Sequence, residues 1–502
     1  MEVKTNNLPD NPEVLKQMVA ELLGEVALLK NRLNTLLRNS YGTKSEKFDP
    51  SQLALFEDLL EDAKEAQPQE QSEPKEKTKG HGRQKLPRNL PRKQVIHDLP
   101  EEEKTCKCCG ELMVKIGDEK SEQLEYIPSS LLVLEHIRFK YACKHCEESI
   151  ATADKSIQPI EKGLPGPGLL AHVAVSKYLD HLPLNRLENI FNRHGVKLSR
   201  STMCGWMQNV AEISLPIYDI MIEDVLNSYS IHTDDTPIKL RDAHEKVKAE
   251  GRFWVYCGDE EHPYTVYDYT ANRSHDGPEK FLGDYAGYMH ADAYPGYYKI
   301  YDDNGATELA CMAHARRKFF DSQDNDVARA HAALGYIRQL YMIEREIKGE
   351  KVDVKTSIRR EKSKPILAEF KKWLDEQIND KTRPVLPQSP IGKAFTYTLN
   401  QWDALNRYAD DGQLYIDNNA AERALRPIAV GRKNYLFVGS NRGGNAAAVI
   451  YSLIESAKRH KLNPFEYLRD VLENLPKTKI SEVEKFLPDK WKADREQSIQ
   501  SN

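Results

Sequence analysis

The chain has 502 residues, 40% of them hydrophobic, with 24 Tyr and 13 Phe, which sets a prior of roughly three domains and excludes a disordered or fibrous protein. No apolar run approaches the ~18 residues of a membrane span. The formal net charge of −5 excludes a uniformly basic nucleic-acid binder, so any such role must rest on local charge.

The opening "MEVKTNNLPDNPEV" lacks the apolar stretch of a signal peptide, which predicts a cytoplasmic protein. Eight Cys, several in close pairs, suit a reducing compartment and a metal site better than a disulfide framework. Leu15, Leu22, Leu29 and Leu36 recur every seven residues, with Met18, Val26 and Leu33 at the half-turns. This seam predicts a coiled coil within residues 8–60, weakened at Gly24. Seven acids and one Lys lie between Glu57 and Glu73, and eight Lys or Arg with one Glu between Lys75 and Lys93. Residues 61–92 therefore read as a charged linker whose basic end suits phosphates.

Cys106 and Cys109 form one CxxC pair and Cys143 and Cys146 another, separated by 33 residues that read as strands. Four thiolates carried on two turns make a tetrahedral set for structural Zn²⁺, expected within a domain over 93–160, with Cys108 as a second possible thiol in the first knuckle. After "EKGLPGPG" comes a helical segment, 161–226. Leu187, Ile190 and Phe191 share one face of a helix ending near Gly195; Ser199 then caps a second helix with Met203, Trp206, Met207 and Val210 inward. The spacing is that of a helix-turn-helix, in which Arg200, Ser201 and Thr202 would meet DNA.

From about residue 227 the period changes to that of strands. "SYSIHTDDTPIKL", "GRFWVYCGD", "HPYTVYDYT" and "GYMHADAYPGYYKI" are predicted strands, with a helix in "SHDGPEKFLGDY" before the last, an α/β core. His232 and Asp234 share a face of the first strand, as do His290 and Asp292 on the fourth. Buried carboxylates on neighbouring strands repel unless a cation lies between them, and an oxygen-only set suits Mg²⁺ or Mn²⁺. Residues 326–409 read as an all-α insertion, preceded by Cys311 and His314 in "CMAHARRKFF". In "YIDNNAAERALRP" a short helix is predicted, stopped by Pro427, with Asn418 as its cap and Glu422 four residues before Arg426. Amphipathic helices follow to the end of the chain.

The blocks "LPEEEKTCKCCGELMVKIGDEKSEQLEYIP", "KYLDHLPLNRLENIFNRHGVKLSRSTM", "HTDDTPIKL", "HADAYPGY", "CMAHARRKFF", "YIDNNAAERALRPIAVGRKNYLFVGSNRGG" and "EKFLPDKW" together resemble the large transposase of the insertion-sequence 66 family. The resemblance implies a DDE recombinase with an RNase H-like core over 227–325 and 410–460, followed by a C-terminal helical segment, 461–502. It places the three carboxylates on Asp234, Asp292 and Glu422, although Asp235 stands where the family usually has Glu in its "DET" block. The implied reaction is two-metal cleavage at transposon ends and strand transfer into double-stranded DNA at the nucleoid, by a homo-oligomer working with accessory proteins of the same element. Arg423, Arg426, Arg432 and Lys433 then become candidates to hold DNA phosphates, and Cys311 and His314 match a C-x-x-H signature of related enzymes. Two other readings of the residues are a dimeric DNA-binding regulator with an inert α/β part, and a metal-dependent nuclease that does not join strands.

Overall fold

The computed structural model describes residues 163–241, 249–302 and 305–500, with short pieces between 131 and 161. The expected coiled coil, the charged linker and Cys106, Cys109, Cys143 and Cys146 lie outside the described residues. Two short strands, β1 (Lys140–Ala142) and β2 (Ile150–Thr152), pair antiparallel with Tyr141 opposite Ala151.

Three helices follow: α1 (Pro167–Tyr178), α2 (Leu184–Arg193) and α3 (Arg200–Leu226). Gly195 takes a φ of +78° just past α2, and Ser199 caps α3 by accepting the Thr202 amide at 3.2 Å. Met203, Trp206, Met207 and Val210 are buried. The expected boundary near residue 226 does not separate two units, because α3 runs on for 27 residues through Pro216 and buries Ile217, Met221 and Val225 in the same core as the sheet. Tyr218 donates its hydroxyl to the Tyr267 carbonyl at 2.8 Å. Periodicity reports which face of a helix is apolar, not which partner covers it.

The sheet is a mixed one of five strands in the order β5-β4-β3-β6-β7. β3 (Ser230–Leu240), β4 (Ala249–Cys257) and β5 (Thr265–Thr270) form an antiparallel meander, and after α4 (Asp276–Leu282) the chain adds β6 (Tyr288–Ala291) parallel to β3, then β7 (Thr307–Ala310) parallel to β6. β7 escaped prediction: four residues are too few to show alternation. The "YPGYYKI" tail, predicted as strand, instead makes helical turns over Pro295–Tyr297 and Tyr298–Asp302, because Pro295 lacks the amide a ladder needs and starts a turn that buries Tyr297.

The segment between β7 and the next core element is helical, with α5 (Met312–Asp321), α6 (Val327–Glu346), α7 (Lys364–Asn379) and α8 (Pro390–Asn400). These helices bury a second apolar cluster centred on Phe319, Ile337, Leu340, Phe370 and Phe395, which also takes in Leu309 and Ile416. Buried Arg359 pins the returning chain: its guanidinium pairs with Glu344 and donates to the Tyr408, Asp411 and Leu414 carbonyls at 2.7–3.0 Å.

The chain then returns to the sheet with α9 (Asn419–Tyr435), α10 (Asn441–Arg459), α11 (Pro464–Asn474) and α12 (Pro488–Gln500). On the outer edge of β5 the Thr265 and Tyr267 amides donate to Ser456 and Ser452 of α10, at 3.0 and 2.8 Å. A strand edge that would otherwise present bare amides is thus closed by a helix. Gly444 permits the close approach: a Cβ there would lie 2.6 Å from the Tyr269 ring. Among the described residues, no helix is long and apolar enough to cross a membrane.

Candidate catalytic site

The parallel register of β3 and β6 sets His232 opposite His290, and their rings stack 4.2 Å apart at an interplanar angle of 6°. Both are buried, and burial drives both toward the neutral form, His232 down to about 4 and His290 well below the usual range. Nδ1 of His232 donates to Oδ1 of Asn418 at 3.0 Å, and the Tyr415 amide donates to Nε2 of His290 at 3.4 Å. Two residues beyond each ring the strands deliver Asp234 and, one position past the end of β6, Asp292.

Asp234 is pushed up to about 8, first by burial and then by the charge of Asp292, with Asp235 and Glu422 adding to it. Asp292 is also raised, chiefly by burial, against the opposing pull of His314 and Arg273. The three carboxylates therefore share one electrostatic neighbourhood, though 58 and 130 positions separate them in sequence. Asp235 faces a different environment. It accepts from Nη1 of Arg252 at 2.9 Å and from Nη2 of Arg273 at 2.7 Å, and its side chain is 2% exposed.

Glu422 lies in the first turn of α9, and the helix differs from expectation. Pro427 does not stop it; the helix continues eight residues further, to Tyr435. A proline removes the amide that would serve the carbonyl a turn back, and here the Tyr267 hydroxyl donates to the adjoining Ala424 carbonyl at 2.5 Å. Arg432 completes the anchorage by donating to Thr236 Oγ1 and the Pro237 carbonyl, both at 2.7 Å. That guanidinium, expected on DNA, is thus turned into the protein; Arg423, Arg426 and Lys433 are exposed.

Asn418 departs from its expected role too. Its side chain makes no capping bond to α9; fully buried, it donates to the Thr233 carbonyl at 2.8 Å while accepting from His232, and its amide meets Sγ of Cys311 at 3.2 Å. One residue joins the start of α9, the strand that carries Asp234, and the residue before α5. Nor does Glu422 pair with Arg426: it lies 3.6 Å from Nε2 of His314 and 3.7 Å from Nη2 of Arg317.

Oδ1 of Asp292 and Oε1 of Glu422 are buried without a hydrogen-bond partner. Two such acceptors beside a carboxylate held toward its protonated form are what a divalent cation would satisfy, and an oxygen set fits Mg²⁺ or Mn²⁺. Cys311, His314 and Glu422 also bring a sulfur, a nitrogen and an oxygen within 4.8 Å of one another. Burial pushes the Cys311 thiol up, away from the thiolate that metals bind, and its sulfur already serves Asn418.

Of the predicted DNA contacts on α3, Arg200, Ser201 and Thr202 are exposed, with Arg200 3.4 Å from Glu188 and both hydroxyls bonded to Ser199. Sequence reasoning missed Arg273 and Arg317. Neither stands in a periodic pattern; only the fold brings them to the acids.

Residues 162–446 match the profile described as Transposase IS66 family, residues 103–147 that of the zinc-finger binding domain of transposase IS66, residues 452–488 the IS66 C-terminal element, and residues 28–95 the Transposase C of IS166 homeodomain. Similar relatives come from Sinorhizobium fredii (strain NBRC 101917 / NGR234). Uncharacterized protein y4jD is 32% identical over 99% of both chains, and uncharacterized protein y4hP is 32% identical over 82% of this chain and 77% of its own. A family profile that matches more than half of this chain, together with a relative similar from end to end, establishes that this chain belongs to the IS66 transposase family.

Proposed function

We propose that the protein is a DDE-type DNA transposase that cleaves the ends of its element and joins them to target DNA, with Asp234, Asp292 and Glu422 as the acids of an RNase H-like core. The observation that carries this reading is the convergence of three carboxylates, two with unpartnered buried oxygens, just beyond the parallel β3–β6 ladder and at the start of one helix. The strand order, three antiparallel strands followed by two parallel ones, supports the same core.

Asp234, Asp292 and Glu422 would hold Mg²⁺ or Mn²⁺, which when bound lowers the pKa of an attacking water and neutralises charge on an in-line phosphoryl transition state. The chain's own contribution is position. The stacked His232 and His290 keep β3 and β6 in register, Asn418 locks α9 against β3, and Arg432 fixes the other end of that helix. Arg317 flanks Glu422 and offsets its charge, while His314, held toward its neutral form by burial, lies against the same carboxylate. Exposed Arg423, Arg426 and Lys433 continue along α9 as phosphate contacts, and Arg200, Ser201 and Thr202 supply a second DNA-facing surface.

Cys106, Cys109, Cys143 and Cys146 are proposed to hold one structural Zn²⁺, in keeping with the zinc-finger profile over that segment. Metal analysis of the purified full chain should find one Zn²⁺ per chain, lost in Cys106→Ser and Cys143→Ser. The N-terminal leucine seam would join copies into a homo-oligomer. The decisive experiment incubates the purified chain, Mg²⁺ and the element's own end DNA, and scores nicked and joined products separately. Nicking without joining would leave a nuclease; binding without either would leave a DNA-binding regulator.

A further inference from the structure

We propose that Arg273 is a substrate-contacting residue that binds a phosphate of the DNA strand being cut, with Asp235 and Tyr294 as the residues that aim it. The inference rests on the functional reading above and adds a residue to it.

Arg273 lies in the turn after β5, 38 positions from Asp235 and 19 from Asp292. Nε and Nη2 both donate to Oδ1 of Asp235, at 3.1 and 2.7 Å, and Nη2 reaches past that oxygen to within 3.9 Å of Oδ2 of Asp292. The guanidinium lies 4.1 Å from the centre of the Tyr294 ring, and the Tyr294 hydroxyl donates back to the Arg273 carbonyl at 2.7 Å. Side chain and backbone are thus held by the same tyrosine, while 38% of the side chain remains open to solvent.

Charge balance alone does not call for this arrangement. Asp235 already has a cation in Arg252, which is more deeply placed, at 18% exposure. A second arginine, more exposed and within 3.9 Å of Asp292 among the proposed metal-binding acids, is placed for something that arrives from solvent. A planar fork held rigid beside those acids matches two oxygens of a phosphodiester, and an orientation set before binding costs nothing at the moment of reaction. Asp235 accordingly acts through Arg273, as a positioning residue.

The test uses the full chain, Mg²⁺ and end duplexes carrying a neutral methylphosphonate at single positions around the cleaved bond, under single-turnover conditions. Arg273→Ala should slow cleavage about 10²-fold with end binding and the Mg²⁺ midpoint unchanged. At one methylphosphonate position wild type should be slowed while Arg273→Ala loses nothing further, because the contact is already gone. Arg273→Lys keeps a charge for Asp235 and should recover part of the rate, which separates lost contact from lost folding. Wild-type rate in Arg273→Ala, a defect of the same size at every methylphosphonate position, or a lowered Mg²⁺ midpoint with rate intact would overturn the proposal. Failure of wild type to cut would instead remove the DNA-cleaving reading itself.

Discussion

The two apolar cores contribute differently to the site. The first, which joins the sheet to α1–α3 and α9–α12, supplies the elements that carry every proposed metal-binding acid: Asp234 on β3, Asp292 after β6 and Glu422 on α9. The second, built on Phe319, Leu340, Phe370 and Phe395, supplies α5 and with it His314 and Arg317 against Glu422. The chain crosses from second core to first between Ile416 and Ala421, and Asn418 is bonded on both sides of that crossing. One core thus collects negative charge that is costly without a cation, and the other adjusts it from outside.

The sharpest test of this division removes one charge at a time from the first core. Asp234→Asn, Asp292→Asn and Glu422→Gln keep the shape, and each should lower cleavage and joining by about 10³-fold or more, with end binding retained in a gel-shift assay. Glu422→Gln at full rate would take α9 out of the chemistry.

A core substitution asks whether the two clusters are separate units of stability. Phe370→Ala should cost about 3–5 kcal/mol, read by denaturant unfolding. If the cores unfold independently, hydrogen exchange should lose protection in α6–α8 while β3–β5 stay protected; uniform loss would make them one cooperative unit.

At the crossing, Asn418→Ala leaves the Thr233 carbonyl and His232 Nδ1 without partners. A loss of about 1–3 kcal/mol is expected for each buried group left unmade, together with slower cleavage because Glu422 is no longer held. Unchanged stability would mean that water replaces the amide.

The smallest expected effect is one of pH. His232 and His290 are neutral in the native state, with pKa values below the ordinary range, while the unfolded chain takes up protons near 6.5. Their contribution is therefore complete above that value and lost as pH falls from 6.5 toward about 4. Because Asp234, pushed up to about 8, titrates in the opposite sense over this range, the histidine contribution is read as a difference. From pH 7 to pH 5 the urea midpoint of wild type should lose ground relative to a His232→Gln, His290→Gln variant, and equal pH dependence would mean that the stacked pair is hydrated.

Patterns that depend on neighbours in sequence were legible. The alternation of β3, with His232 and Asp234 on one face, the cap at Ser199 and the inward face of α3 follow from the two-residue and 3.6-residue repeats of the backbone. β7, four residues with no alternation, was too short to read, and the Pro295 turn was absorbed into a strand that its aromatic neighbours suggested.

By itself, then, the sequence determined the element types, the two H-x-D strands and a set of acids and bases from which a site could be drawn. Only the tertiary structure decided what each polar side chain does. Asn418 became a clamp because Thr233 and His232 lie opposite it; α9 passed through Pro427 with Tyr267 bonded beside it; Arg432 turned inward to Thr236; and Asp235 was paired with Arg252 and Arg273 while Asp234 was left among acids. The physical reason is common to all four. A periodicity is a property of the local backbone, whereas a buried hydrogen bond or ion pair depends on which donor the fold brings within about 3 Å, and most of these partners stand more than a hundred positions away in the chain.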